Sequence, residues 1–194
     1  MAATRIAIIL SFVVLALGAV FIFTMERPSS SGTALIGGPF TLTDHHGETV
    51  TDETYKDTAL LVYFGFTFCP DICPTELQKL SAALDLLSEK DRAKITPLFI
   101  SIDPERDTPE AMADYVDHFH PDLVGLTGTP DQIAAAAKAY KIYYEKVEDD
   151  SSTAGYTMNH TNLVYFMDRD HKFVTVFHAE DGPEKIAASV KKAL

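Results

Sequence analysis

The stretch ALLVYFGF, Ala59 to Phe66, runs directly into TFCPDICP, Thr67 to Pro74, and then into leucines at 77, 80, 84 and 87. The first segment is apolar on both alternate faces and rich in aromatic and branched side chains, which predicts a central strand covered on both sides. Spacings of three, four and three place Leu77, Leu80, Leu84 and Leu87 on one stripe of an amphipathic helix, which Pro74 is suited to open. Between strand and helix lies a turn carrying both cysteines of the chain, Cys69 and Cys73. Each precedes a proline, and a residue before proline is steered out of helical geometry, so neither thiol is predicted to lie inside the helix.

Working outward, PLFISI (Pro97 to Ile102) reads as a second strand. A helix follows with Thr108 as cap, Pro109 at its first position and Met112, Tyr115 and Phe119 inward. Leu123 to Leu126 is a shorter strand, and Thr129, Pro130 and Asp131 open a helix carrying Ile133, Ala137 and Tyr140. Strand and helix in alternation imply a mainly parallel sheet. The tail differs. Asn162–Met167 and Phe173–Phe177 are strand-like runs separated by polar residues, a hairpin signal. Pro183 then starts a last helix with Ile186 and Val190 inward. Parallel units, an antiparallel hairpin and a closing helix are the element order of a thioredoxin-like α/β domain, assigned to residues 40–194.

Upstream, Ile6 to Thr24 is 19 residues long and uncharged. As a helix it extends roughly 28 Å, close to a bilayer's hydrocarbon thickness. Residues 1–27 are therefore expected to form a single transmembrane anchor rather than a cleaved signal, because apolar Val20 to Phe23 continue beyond any small-residue cleavage site. Arg5 puts the basic excess on the short N-terminal side, so the remainder is expected outside the cytoplasm, in a bacterial periplasm or the mitochondrial equivalent. Residues 28–39 are rich in Ser, Gly and Pro and read as a flexible tether. The chain holds 16 basic and 28 acidic residues, a formal charge of −12, which removes the positive field that nucleic-acid binding needs. Two cysteines exclude a four-cysteine zinc or iron–sulfur site within one chain.

In an oxidising compartment a close thiol pair either bonds, cycles or binds metal. A disulfide between Cys69 and Cys73 closes so short a loop that it would add little stability. Cys73, just ahead of the helix, is expected to form its thiolate more readily than a free cysteine does. A thioredoxin-like topology brings the loop Gly155–Thr161 beside this turn, and that loop offers His160. Two thiolates and one imidazole suit copper, Cu(I) through the sulfurs and Cu(II) through the nitrogen as well, whereas zinc wants a fourth ligand. His45, His46, His118, His120, His171 and His178 read as solvated or capping residues. Asp103, Glu105, Arg106 and Asp107 read as architectural residues of a loop after a strand, explained by solvation or by helix-end electrostatics.

Four separated segments, FTFCPDICPTEL (Phe66 to Leu77), SIDPERDTPE (Ser101 to Glu110), GLTGT (Gly125 to Thr129) and NHTNLVYFMD (Asn159 to Asp168), together resemble the Sco/SenC family. The resemblance implies a membrane-tethered, thioredoxin-like copper protein of the bacterial inner membrane that assists assembly of the binuclear copper centre of cytochrome c oxidase. It implies Cys69, Cys73 and His160 as ligands. The partners implied are the oxidase's copper-bearing subunit and another periplasmic copper carrier. The family typically has aspartate directly before this histidine, and Asn159 stands there instead, which predicts a weaker hold on Cu(II) or a greater dependence on the surroundings. Two functions follow: a metallochaperone needing no covalent turnover, or a thiol–disulfide reductase that keeps the oxidase's copper-site cysteines reduced. A peroxidase is disfavoured, since Pro70 occupies the position where such an enzyme places a threonine.

Overall fold

The run Ala59–Gly65 is a strand with every residue buried, in a computed structural model that describes residues 36–148 and 155–194. Among these residues the chain order is β1 (Thr41–Asp44), β2 (Thr49–Thr51), β3 (Ala59–Gly65), α1 (Ile72–Asp85), α2 (Glu89–Arg92), β4 (Ile95–Ser101), α3 (Pro109–Val116), β5 (Val124–Thr127), α4 (Pro130–Tyr140), β6 (Tyr144–Glu148), β7 (Tyr156–His160), β8 (Val164–Met167), β9 (Phe173–Phe177) and α5 (Pro183–Ala193). Strands β3, β4 and β5 pair in parallel, with Ala59 opposite Ile95 and Leu98 opposite Val124. The hairpin β8–β9 adds antiparallel to β3, and β1–β2 adds antiparallel to β5. The sheet runs β2-β1-β5-β4-β3-β8-β9, which puts the apolar β3 and β4 inside it.

Helix starts follow their local chemistry. Thr108 accepts the Ala111 N–H, Pro109 occupies the first position of α3, and Met112 is buried beneath it. Thr129 accepts the Gln132 N–H while the Gln132 side chain returns to Thr129, a reciprocal cap for α4. Ile133, Ala137 and Tyr140, and Ile186 and Val190 of α5, enter the core. The thioredoxin-like reading of the element order holds.

Three expectations change. Helix α1 begins at Ile72, so Cys73 lies within its first turn rather than ahead of it. The first turn's N–H groups have no intrahelical partner, so Pro74 costs no hydrogen bond there, and complete burial of Cys73 overrides the pre-proline preference. The segment Gly155–Thr161 is mostly strand rather than loop, because β7 pairs with β6 in a separate two-stranded sheet. Ile36 packs against the core and Gly37 N–H donates to the Ala139 carbonyl at 3.0 Å, so packed chain reaches into the segment read as a tether. The anchor read at residues 1–27 lies outside the described residues, and no helix among those described is long and apolar enough to cross a membrane.

Candidate metal centre

Cys73 points from the first turn of α1 into the core, where its Sγ would lie 2.8 Å from a Cβ added at Gly65. A side chain at position 65 would displace the sulfur, so the glycine at the end of β3 makes room for the thiol. Cys69 loops back over the open end of α1, and the Cys73 N–H donates to its Sγ at 3.3 Å. No side chain of Asp71 caps this helix, so a sulfur takes that place. Both cysteines are free thiols, Cys69 partly exposed and Cys73 fully buried.

His160 closes β7, opposite Tyr144 of β6. Its Nδ1 lies 3.0 Å from the Thr161 carbonyl and its Nε2 lies 3.6 Å from Cys73 Sγ. A proton on Nδ1, donated to that carbonyl, leaves the Nε2 lone pair facing the thiols; this tautomer is inferred from the bonding. The rings of Phe66 and Tyr63 stand edge-on to the imidazole at 6.0 and 6.2 Å. Tyr63 in turn donates its hydroxyl to Asn162 Oδ1 at 3.1 Å. The three residues read from sequence as ligands thus meet, and a groove of about 310 Å³ opens above them, lined by Phe66, Cys69, Ile72, Met158, His160 and Asn162.

The electrostatics correct the sequence reading of the thiols. A hydrogen bond from the Cys73 thiol holds the Cys69 thiol down to about 4, against the opposing effect of its partial burial. Bonds from the Cys73 and Asp71 backbone add to the lowering. Cys73 moves the other way, because it donates to Cys69 and because burial disfavours its charge. The helix terminus therefore acts on Cys69, whose sulfur sits over it, and not on Cys73, whose sulfur is turned inward.

Sequence reasoning missed the turn Ser101–Asp107. Asp103 and Asp107 are buried, 3% and 0% exposed, so neither solvation nor helix-end electrostatics accounts for them. Asp107 accepts the Thr67 hydroxyl at 2.6 Å, the Thr67 N–H at 3.2 Å and the Ser101 hydroxyl at 2.6 Å. Two carboxylates flanking an arginine in a strand-end turn were the available signal. Of the other histidines, His118 caps the Asp114 carbonyl as expected, but His120 is buried and accepts the Asp122 N–H. Among the described residues no group of three or more His, Cys, Asp and Glu is already arranged to hold a metal. The Cys73–His160 separation nonetheless matches a ligand edge. Bonds of about 2.3 Å to sulfur and about 2.0 Å to nitrogen, the lengths zinc shows, put those atoms about 3.5 Å apart at a tetrahedral angle.

A family model described as SCO1/SenC matches residues 28–194. The human mitochondrial protein SCO1 homolog is 47% identical over 169 residues, covering 85% of this chain and 55% of its own. Protein SenC of Rhodobacter capsulatus is 42% identical over 166 residues, covering 85% of this chain and 73% of its own. The structure of Bradyrhizobium japonicum ScoI with copper bound superposes with a TM-score of 0.75 at 46% identity, over 82% of this chain and 99% of that one. The chain spans about half the length of the curated mitochondrial relatives it matches.

Proposed function

The chain belongs to the SCO1/SenC family, and from that premise we propose that it is a copper carrier in which Cys69, Cys73 and His160 hold one ion and pass it to a partner. The observation that carries this reading is the approach of Cys73 Sγ to His160 Nε2, with Cys69 accepting the Cys73 N–H and lining the same groove as His160. The donors fit the cargo. Two soft sulfurs favour Cu(I), and the imidazole extends the set to Cu(II). A deeply buried sulfur and a half-exposed one divide the work: Cys73 anchors the ion while Cys69, at the mouth of the groove, gives way first to an incoming ligand. Exposed Phe68 and Ile72 flank that mouth and offer apolar surface to a docking partner. The Sco family is one of cytochrome c oxidase assembly proteins, which makes the oxidase's copper-bearing subunit the acceptor in this reading. The anchor expected at residues 1–27 would hold the carrier at a bacterial inner membrane, facing the periplasm.

A second reading is favoured by the same asymmetry of the thiols. In it, the Cys69 thiolate attacks a disulfide of the partner, forming a mixed disulfide and releasing one partner thiolate. Cys73 then loses its proton and attacks Cys69 Sγ, releasing the second partner thiol. Two electrons pass to the partner, and the Cys69–Cys73 disulfide so formed requires a reducing dithiol partner to reset it. The experiment is copper analysis and absorption spectroscopy of the full-length chain loaded with Cu(I) or Cu(II), alongside its Cys69→Ser, Cys73→Ala and His160→Ala forms. A carrier loses the thiolate-to-Cu(II) absorption in His160→Ala, and its copper retention falls by more than about a hundredfold, beyond the effect of losing a mere supporting contact. A reductase keeps its disulfide-reducing rate in His160→Ala and loses it in both cysteine variants.

A further inference from the structure

The hairpin β6–β7 delivers the imidazole, yet it pairs with no strand of the main sheet. An isolated two-stranded hairpin is at best marginally stable in water, so its position against the cysteines has to be fixed by other contacts. Met158 packs in the core, and the polar contacts of Lys146 and Tyr156 converge on one turn. Asp103 accepts the Tyr156 hydroxyl at 2.8 Å and pairs with Arg106 Nε. Arg106 Nη1 donates to the Tyr156 carbonyl at 3.1 Å, and its guanidinium lies 3.6 Å from the Tyr156 ring centroid and 4.6 Å from that of Phe68. Lys146 of β6 pairs with Glu105 at 2.9 Å. From the other end of the same turn, Asp107 grips Thr67, two residues before Cys69.

We propose that the turn Ser101–Asp107 is a bracket that sets the imidazole–thiol separation, with Asp103 and Arg106 as positioning residues for His160. Asp107 fixes the cysteine side, and the Asp103–Arg106 pair fixes the histidine side through Tyr156. Tyr156 and His160 are the first and last residues of β7 and, four apart on a strand, share one face. Holding Tyr156 therefore holds the ring at the far end. Arg106 is suited to the task by its planar fork, which bonds a carboxylate and a carbonyl while its flat face stacks on aromatic rings; a lysine offers a point charge instead. Its Nη2 is buried with no hydrogen-bond partner. A desolvated donor is retained at a cost, and the stack between Phe68 and Tyr156 is what its retention maintains.

The proposal deepens the copper reading and rests on it only in the metal arm of its test. The metal-free arm follows amide hydrogen exchange in the reduced full-length chain and in its Arg106→Lys, Asp103→Asn and Tyr156→Phe forms. Exchange within Tyr156–His160 is expected to rise about tenfold in Arg106→Lys and Asp103→Asn, and less in Tyr156→Phe, which keeps the ring under the guanidinium. Amides of Val62–Phe64 report in the same measurement that the core is intact. The metal arm loads the same variants with Cu(II) and records the thiolate-to-copper absorption, which is expected to shift and weaken as the imidazole leaves its place. Unchanged hairpin exchange in both Arg106→Lys and Asp103→Asn overturns the bracket. So does a loosened hairpin with an unmoved absorption band, in a chain whose His160→Ala form loses that band. If His160→Ala leaves the band intact, the copper reading fails, and the bracket is judged on hairpin exchange alone.

Discussion

At the scale of single residues, the two sulfurs are chemically unlike although only four positions apart. The Cys69 thiol is held near 4, below the value of about 8.5 for an ordinary thiol, so it stays ionised as pH falls through the neutral range. Alkylation of the reduced, metal-free chain is therefore expected at Cys69, with a rate nearly flat from pH 8 down to about 5, where an ordinary thiol slows about tenfold per pH unit. Peptide mapping of the alkylated chain checks this, and dominant labelling of Cys73 would refute it. The sign carries to stability. A group whose pKa is lowered on folding stabilises the fold above its unfolded pKa, and that contribution fades as pH drops from about 8.5 towards 4. Cys69→Ser should flatten that part of the stability–pH profile. Gly65 gives a second test. Its substitution by Ala places a Cβ 2.8 Å from both Cys73 Sγ and the Phe99 ring, which is expected to cost about 1–3 kcal/mol in urea denaturation and to lower copper retention as the sulfur is displaced. Asn159 faces a compromise. It stands opposite Glu145 across the hairpin, so Asn159→Asp is expected to tighten Cu(II) binding while loosening the β6–β7 pair through like-charge repulsion. Unchanged Cu(II) affinity in that variant would reject a role for the missing carboxylate.

At the scale of elements, what was legible in the sequence was what burial writes into it. Strands β3 and β4 are covered on both faces and so consist of continuous apolar runs. Helices α3 and α4 announce themselves by Thr–Pro starts. Strands β6 and β7 left no such mark, because they are mostly half-exposed and pair only with each other, so neither continuous apolarity nor clean alternation was required of YEKVE and YTMNH. Topology puts His160 near the cysteine turn, and the ring stands 3.6 Å from Cys73 Sγ, on a strand end rather than in a loop. The start of α1 at Ile72 departs from the proline rule because that rule describes backbone preference and not the pull of burial on Cys73. The burial of Asp103 and Asp107 is hidden for a related reason: a buried carboxylate looks like a solvated or helix-end one until its donors are known, and the donors are distant in sequence, Tyr156 lying 53 residues from Asp103 and Thr67 40 from Asp107. Asp107→Ala is the corresponding test at this scale. It strips an acceptor from buried Ser101 and from Thr67, each abandoned donor costing about 1–3 kcal/mol. Chemical denaturation should register a loss of at least that size, whereas Asp170→Ala, on an exposed turn, should change stability by less than about 0.5 kcal/mol.

At the scale of the whole molecule, the three proposed donors belong to separate parts of the fold: the turn after β3, the first turn of α1, and the end of a hairpin 87 residues beyond Cys73. The donors are together only when the chain is folded, so an ion bound by all three binds the native state in preference to the unfolded one. Copper loading is then a stabilising ligand by mass action: at free copper about a thousandfold above the dissociation constant it adds about 4 kcal/mol. Unfolded cysteines retain some affinity for copper, which reduces this figure without changing its sign. Thermal denaturation of the reduced chain should therefore shift upward on adding copper and return on adding a strong chelator. His160→Ala should keep only the part of the shift that two sulfurs support, and the double variant Cys69→Ser, Cys73→Ser should keep none. A chain in which all three forms gain equally would bind its copper elsewhere, for example through the acidic surface that gives it a formal charge of −12, and high salt would then abolish the shift.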